Sequence, residues 1–300
     1  ALRYSLVTGN APGNDQRFQE DKIEAGRNFA NKIWNAMRFV LMNCEETISF
    51  DAIDPEKFTL EDKWILSRLN KVSSEVTANL EKYEFGIAVA KIYSFIWEEY
   101  CDWYIEIAKS RLFDATVATK LEAQYVLNYV LGEAMKLLHP FMPFLTEEVY
   151  SHLILSDKES ALMVDQWPEA KPEWSFDAEE EKMTVLMDAV RSIRNVRTQL
   201  GVAPSRKAGA ILVAGSEDIR GIFDDSVAFL DRLASVNSID FRTDKVGIPA
   251  TAVTAIFNGG TFFLPLEDLI DIEKELERLK KEKDHLDNEV RRVDSKLENA

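Results

Sequence analysis

The chain has 300 residues, enough for about two average domains, and its 36 Lys and Arg stand against 52 Asp and Glu, a net charge of −16. With 46% hydrophobic and 29% charged residues its composition is globular, neither disordered nor fibrous, and the acidic surplus excludes a surface that grips nucleic acid or an anionic membrane all over. Two distant cysteines, Cys44 and Cys101, make neither a disulfide framework nor a ligand set, so a reducing, cytoplasmic setting is expected.

From Arg17 to about Ile154 apolar residues recur three and four apart, which predicts helices over 23–41, 64–80, 87–107, 121–138 and again after Pro143. Asp54-Pro55, the turn at 83–86, residues 113–116 and His139-Pro140 punctuate these runs. Short connections between helices predict an antiparallel bundle. Residues 165–176, with Pro168 and Pro172 among Trp and Phe, read as a chain crossing the bundle surface, and a further helix is expected over 178–200. The texture then changes: 210–214 and 239–242 have strand character with a helix over 226–234 between them, and 253–257 and 261–266 flank Asn258-Gly259-Gly260, a hairpin-turn sequence. The uncharged run 246–266 is broken by Gly247, Pro249, Gly259, Gly260 and Pro265 and is therefore no membrane span. Finally Leu269, Ile272, Leu276, Leu279, Leu286, Val290, Val293 and Leu297 follow a coiled-coil seam with Lys283 in the missing slot. The expected fold is mainly α: a helical bundle over 1–176, a basic connecting helix over 177–207, a small α+β unit over 208–267, and the first helix of a coiled-coil arm over 268–300. So thin an apolar stripe needs a partner, either a second helix of the same arm or a second molecule through 269–297.

The search for catalytic chemistry returns nothing. His139, His152 and His285 are widely separated, with no His-Glu-x-x-His, Cys-x-x-Cys, Gly-x-Ser-x-Gly or phosphate-binding glycine loop, so neither metal nor cofactor is assigned to this chain. Trp97, Tyr100, Trp103 and Tyr104, spaced for one helix, read as core, and so do Phe141, Met142 and Phe144.

The segment over 23–42 is more informative. With Asn31 at zero on a wheel of about 100° per residue, Glu24, Arg27, Asn28, Asn35 and Arg38 lie within about 60° of it, Trp34 and Phe39 border the stripe, and Ile23, Gly26, Ile33, Met37 and Val40 cluster opposite. Amides and guanidinium forks read base edges and aromatic faces stack unpaired bases, as in single-stranded RNA loops; the same residues also suit contacts to neighbouring helices. A second basic row, Arg191, Arg194 and Arg197, precedes Arg206 and Lys207, giving five basic residues against one acidic over 188–207. Such a local excess suits phosphate contacts or ion pairs to the acidic surplus elsewhere.

The segments Leu2-Arg-Tyr-Ser-Leu, Glu24-Ala-Gly-Arg-Asn-Phe-Ala-Asn-Lys-Ile-Trp-Asn-Ala-Met-Arg-Phe, Trp64-Ile-Leu-Ser-Arg-Leu-Asn, Phe95-Ile-Trp-Glu-Glu-Tyr-Cys-Asp-Trp-Tyr, Leu138-His-Pro-Phe-Met-Pro-Phe, Ile193-Arg-Asn-Val-Arg with Pro204-Ser-Arg-Lys, and Pro265-Leu-Glu-Asp-Leu-Ile-Asp-Ile together resemble, in order, the anticodon-binding region of class I aminoacyl-tRNA synthetases. Isoleucyl and leucyl enzymes share this bundle; the heptads and the lack of a cysteine-rich module favour the valyl branch. The resemblance implies a tRNA partner, tRNA(Val), with no DNA and no membrane, in a monomeric parent that uses ATP and Mg. It also implies that the catalytic and editing domains lie outside this chain, which is expected to begin after the catalytic core, to end partway through the arm, and to be inactive alone. Carried over by position, the anticodon readers fall near Arg17, Asn35, Arg38 and Phe39, with Phe39 as stacking platform and Asn31 on the same stripe. Asp21 stands where family members can carry another Arg, with Lys22 adjacent. A helical scaffold self-associating through its coiled coil is the reading from another class.

Overall fold

The computed structural model describes residues 1–9, 15, 17–44, 51, 53–113, 117–154, 160–224, 226–269, 280–281 and 283–291, which divide into two units, Ala1–Met183 and Thr184–Ala300.

The first unit is a helical bundle: α1 (Leu2–Val7), α2 (Glu20–Asn43), α3 (Leu60–Glu81), α4 (Phe85–Ser94), α5 (Ile105–Phe113), α6 (Lys120–Leu138) and α7 (Pro143–His152). Helix α6 is its axis. Ala123, Val126, Leu127, Val130, Leu131, Ala134, Met135, Leu137 and Leu138 are all buried, and so are the polar Glu122, Gln124 and Asn128; α2, α3, α4, α5 and α7 pack on it. Helix α3 starts where its sequence provides the stop signal for unravelling. Thr59 and Asp62 form a reciprocal capping box, satisfying backbone donors that the first turn leaves unpaired. Pro143 occupies the first turn of α7, where its missing N–H costs nothing.

The periodic run 87–107 is not one uniform helix. Between α4 and α5 the segment Phe95–Tyr104 is π-helical, a wider turn bonded i to i+5. It is lined with rings: Tyr100 and Tyr104 stack at 6.1 Å, Tyr100 donates to the Leu127 carbonyl at 2.8 Å, and Tyr104 donates to Asp62 Oδ1 at 2.7 Å. Tyr100, Trp103 and Tyr104 are core as expected, and Trp97 is half-buried against Tyr93, 5.5 Å away. Phe144 corrects the expectation. It stands 91% exposed, because α7 starts at Pro143 and only Phe141 and Met142 turn inward. Residues 165–176 do cross the bundle: Asn70 clamps the Lys171 main chain through both its amide groups at 2.6 and 3.0 Å, Trp167 Nε1 donates to Thr77 at 2.8 Å, and Trp174 is buried.

Helix α8 (Asp177–Gln199) carries residues of both units. The second unit continues with β1 (Ala208–Ala214), α9 (Glu217–Asp224), α10 (Val227–Ala234), β2 (Val236–Arg242), β3 (Val253–Phe257), β4 (Gly260–Leu264) and α11 (Leu266–Leu269). The sheet order is β2-β1-β4-β3. β1 and β2 run parallel, joined by the α9–α10 crossover that such pairing requires, whereas β4 is antiparallel to β1 with Leu212 opposite Phe262. Phe223, Phe257 and Phe262 meet at 5.3 to 5.5 Å as the core. The β3–β4 hairpin turns on Asn258-Gly259; Gly259 carries φ +125°, and the Asn258 N–H donates to Asp188 Oδ2 of α8 at 2.7 Å.

Of the expected seam, Leu269 is buried at the end of α11, and 283–291 are helical with Leu286 and Val290 exposed; Ile272, Leu276, Leu279, Val293 and Leu297 lie outside the described residues. No helix among the described residues is long and apolar enough to cross a membrane.

Candidate nucleic-acid interface

Helix α2 is held by its inner face. Gly26, Phe29, Ile33, Ala36, Met37 and Val40 are buried. Gly26 is needed for close approach: a Cβ there would meet the Ala1 carbonyl at 3.2 Å and the Tyr4 ring at 3.3 Å. Phe29 packs against Tyr4 at 5.3 Å and Tyr93 at 4.9 Å. With that face fixed, the opposite face is fixed too: Glu24, Arg27, Asn28, Asn31, Asn35 and Arg38 are all exposed. Arg27 pairs with Glu24 at 2.9 Å, a surface pair of little energetic weight. Beside the stripe, Lys32 bonds Asp102 at 2.5 Å and lies 4.6 Å over the Trp97 ring.

At the C-terminal end of α2 the Phe39 ring is half-buried. Phe113 meets its edge at 6.5 Å, and the Lys109 ammonium stands 5.4 Å from its centroid. Phe113 is 64% and Met42 78% exposed. Arg38, Phe39, Lys109, Phe113 and Met42 thus make one patch of cations and open apolar surface, with Asn35 and Asn31 one and two turns back along α2.

Lys109 and Phe113 come from α5, whose end is pinned by the residue between them. Arg111 Nη1 bonds both oxygens of the fully buried Asp62 at 2.9 and 2.8 Å, Nε donates to Thr119 Oγ1 at 3.0 Å, and Nη2 donates to the Thr119 carbonyl at 2.6 Å. Burial, and then Asp62, hold the Glu61 carboxyl above the usual carboxylate range against the pull of Arg111. Sequence reading missed Lys109, Phe113 and Met42. Met42 was findable, since it lies about 20° from Asn31 on the wheel; the α5 pair was not, because nothing local says which two helices touch.

Two expected readers stand apart. Arg17 precedes α2 by three residues and is exposed, and the helix from Glu20 to Arg38 alone spans about 27 Å at 1.5 Å per residue. Lys22 is half-buried on the side of α2 opposite Asn31, nine residues and therefore half a turn out of phase. Neither joins the Phe39 patch.

In the second unit the basic row does not present three guanidiniums outward. Arg191 and Arg194 are exposed, with Arg194 Nε held by the Leu233 carbonyl at 2.6 Å. Arg197 is only 5% exposed; the expectation of a phosphate contact there is overturned, because each step of three rotates about 60° around the helix and carries the third member inside. Arg206 and Lys207 are exposed. Elsewhere, burial raises the Cys44 thiol to about 11 and the Cys101 thiol to about 12, and His139, capping the end of α6, bonds Thr146 Oγ1 at 2.8 Å.

The first unit is thus a helical bundle that presents an exposed amide and guanidinium stripe beside a half-buried aromatic ring. The family described as the anticodon-binding domain of tRNA ligase matches residues 62–212, half of the chain, and the chain belongs to that family. The match begins within α3, so α2 precedes it. Among individual proteins, the chain is 46% identical over 299 residues to the valine--tRNA ligase of Clostridium perfringens (strain 13 / Type A), 45% over 299 residues to that of Clostridium acetobutylicum, and 40% over 301 residues to that of Bacillus subtilis (strain 168). All of this chain is covered in each case but 34% of the relative, so the chain spans about a third of their length. A solved structure, the ternary complex of Agrobacterium radiobacter K84 agnB2 LeuRS with tRNA and LeuAMS, matches over 58% of this chain and 20% of its own at 20% identity and a TM-score of 0.45.

Proposed function

We propose that the chain is the tRNA-recognition part of a valine-tRNA ligase, binding the anticodon loop of tRNA(Val), while ATP, Mg and the aminoacylation chemistry belong to the portion of the relatives that this chain does not match. The observation that carries this reading is the exposed Asn31-Asn35-Arg38 stripe leading to the half-open Phe39 ring, with Lys109 beside it. Unpaired bases offer π faces to Phe39 and acceptor edges to the amides and guanidinium, and Lys109 supplies a nearby positive charge for the backbone. In the parent such contacts hold the acceptor end at a distant active site, where small misplacement costs rate.

The test is binding of labelled anticodon stem-loops with valine, isoleucine and leucine anticodons to the 300-residue chain. The valine loop is expected to bind tightest, and Phe39→Ala and Arg38→Ala each weaken that preference by about 1–3 kcal/mol. Equal affinity for all three loops, unchanged by both substitutions, would refute the reading.

A further inference from the structure

Arg197 is a cation in the wrong place for a contact residue. Its Nη2 donates to two carbonyls of the loop that follows α8, Ala203 at 3.2 Å and Arg206 at 2.5 Å. Its Nη1 is buried with no hydrogen-bond partner among the described residues, and burial lowers the guanidinium below its usual pKa. Among the described residues no carboxylate pairs with it. Stranding a charge in this way is expensive, and neutral donors would serve if two carbonyls merely needed capping.

The loop itself gives the charge a use. Residues 201–207 have no regular structure and are held by the Val202 N–H bond to the Arg197 carbonyl at 2.9 Å, the Arg206 N–H bond to the Ala203 carbonyl at 3.0 Å, the Ser235 hydroxyl bond to the Pro204 carbonyl at 2.8 Å, and the Arg197 side chain reaching across from below. Arg206 and Lys207 stand on its outer side. Their own ties, Arg206 Nη2 to the Glu267 carbonyl at 3.2 Å and Lys207 to Asp231 at 2.7 Å, are solvent-exposed, and exposed pairs of this kind exchange readily for a phosphate. A buried charge without a counter-ion projects its field through a low-dielectric medium to just such a surface.

We propose that Arg197 is a positioning residue for a phosphodiester contact: it clasps the 201–207 loop so that Arg206 and Lys207 meet the RNA backbone, and its unneutralised charge strengthens their field. This rests on the tRNA reading above. The probe is a labelled tRNA(Val) transcript titrated with the 300-residue chain over about 50–200 mM salt, with circular dichroism on each variant. Arg206→Ala with Lys207→Ala is expected to lower the slope of log affinity against log salt by about 1–2, and to weaken cognate and anticodon-substituted transcripts by the same factor. Arg197→Met, which touches no exposed cation, is expected to lower that slope by about 1 while the cognate preference is retained, and Arg197→Lys falls between. A folded Arg197→Met chain with the wild-type slope overturns the proposal; should that variant not fold, wild-type slope and affinity in Arg197→Lys overturn it. If the clasp fails while Phe39→Ala still erodes the cognate preference, the tRNA reading stands; if neither region affects binding, the reading itself has failed.

Discussion

Replacing Arg111 with Met leaves the Asp62 carboxylate at the centre of the first unit without its cation. In the intact chain Asp62 accepts from Tyr104, from the Thr59 N–H and hydroxyl, both at 3.1 Å, and twice from Arg111. Removing one partner of a buried pair costs about 3–5 kcal/mol. Three neutral donors remain on Asp62, so the loss is expected near the lower figure, about 3 kcal/mol. All six tryptophans, at 34, 64, 97, 103, 167 and 174, lie in the first unit, so urea unfolding followed by indole fluorescence reports on that unit alone. Because Lys109 and Phe113 flank Arg111 on α5, anticodon stem-loop binding should weaken in parallel even where the variant remains folded. A loss below about 1 kcal/mol would refute the account of Asp62 as a buried carboxylate that needs Arg111.

Two more outcomes follow from local geometry. Burial outweighs nearby Glu147 and, with Arg3, holds the His139 imidazole below its usual 6.5; the unfolded chain therefore binds that proton first, and stability should decline as pH falls below about 6.5, a slope that His139→Gln should flatten in urea titrations at successive pH values. At Gly260 a Cβ would sit 2.8 Å from the Val213 carbonyl and 3.0 Å from the Phe257 ring, so Gly260→Ala should destabilise the second unit by about 1–3 kcal/mol, seen in circular dichroism with the tryptophan transition unmoved.

The sequence was most legible where one periodicity governed one element. Helix α2 came out with its two faces correctly assigned, and the β3–β4 hairpin was readable from Asn258-Gly259. What escaped depends on contacts between distant segments. The π-helical turn is invisible to a search for three-and-four spacing, because Tyr100 and Tyr104 keep a helical interval while the backbone widens to let one reach Leu127 and the other Asp62. Helix α9 is short and contains Gly221, which masks its periodicity. Arg197 and Phe144 fail for the opposite reason: average polarity placed the first outside and the second inside, and tertiary structure reversed both. At the candidate site the α2 stripe was legible, whereas its completion by Lys109 and Phe113 required knowing that α5 ends beside it.

The sheet order has a consequence for how the second unit is made. Strand β1 is central and leaves the ribosome first, yet its partners are β2, after two helices, and β4, later still. Until Phe262 and Phe263 emerge, the run Ala210-Ile-Leu-Val213 has one open hydrogen-bonding edge and uncovered apolar side chains, the condition under which strands pair with the wrong neighbour. The β3–β4 hairpin, closed by two residues, forms at once and arrives as a finished lid. Nascent-chain aggregation should therefore be sensitive to translation speed between β1 and β4, and indifferent to it within the hairpin.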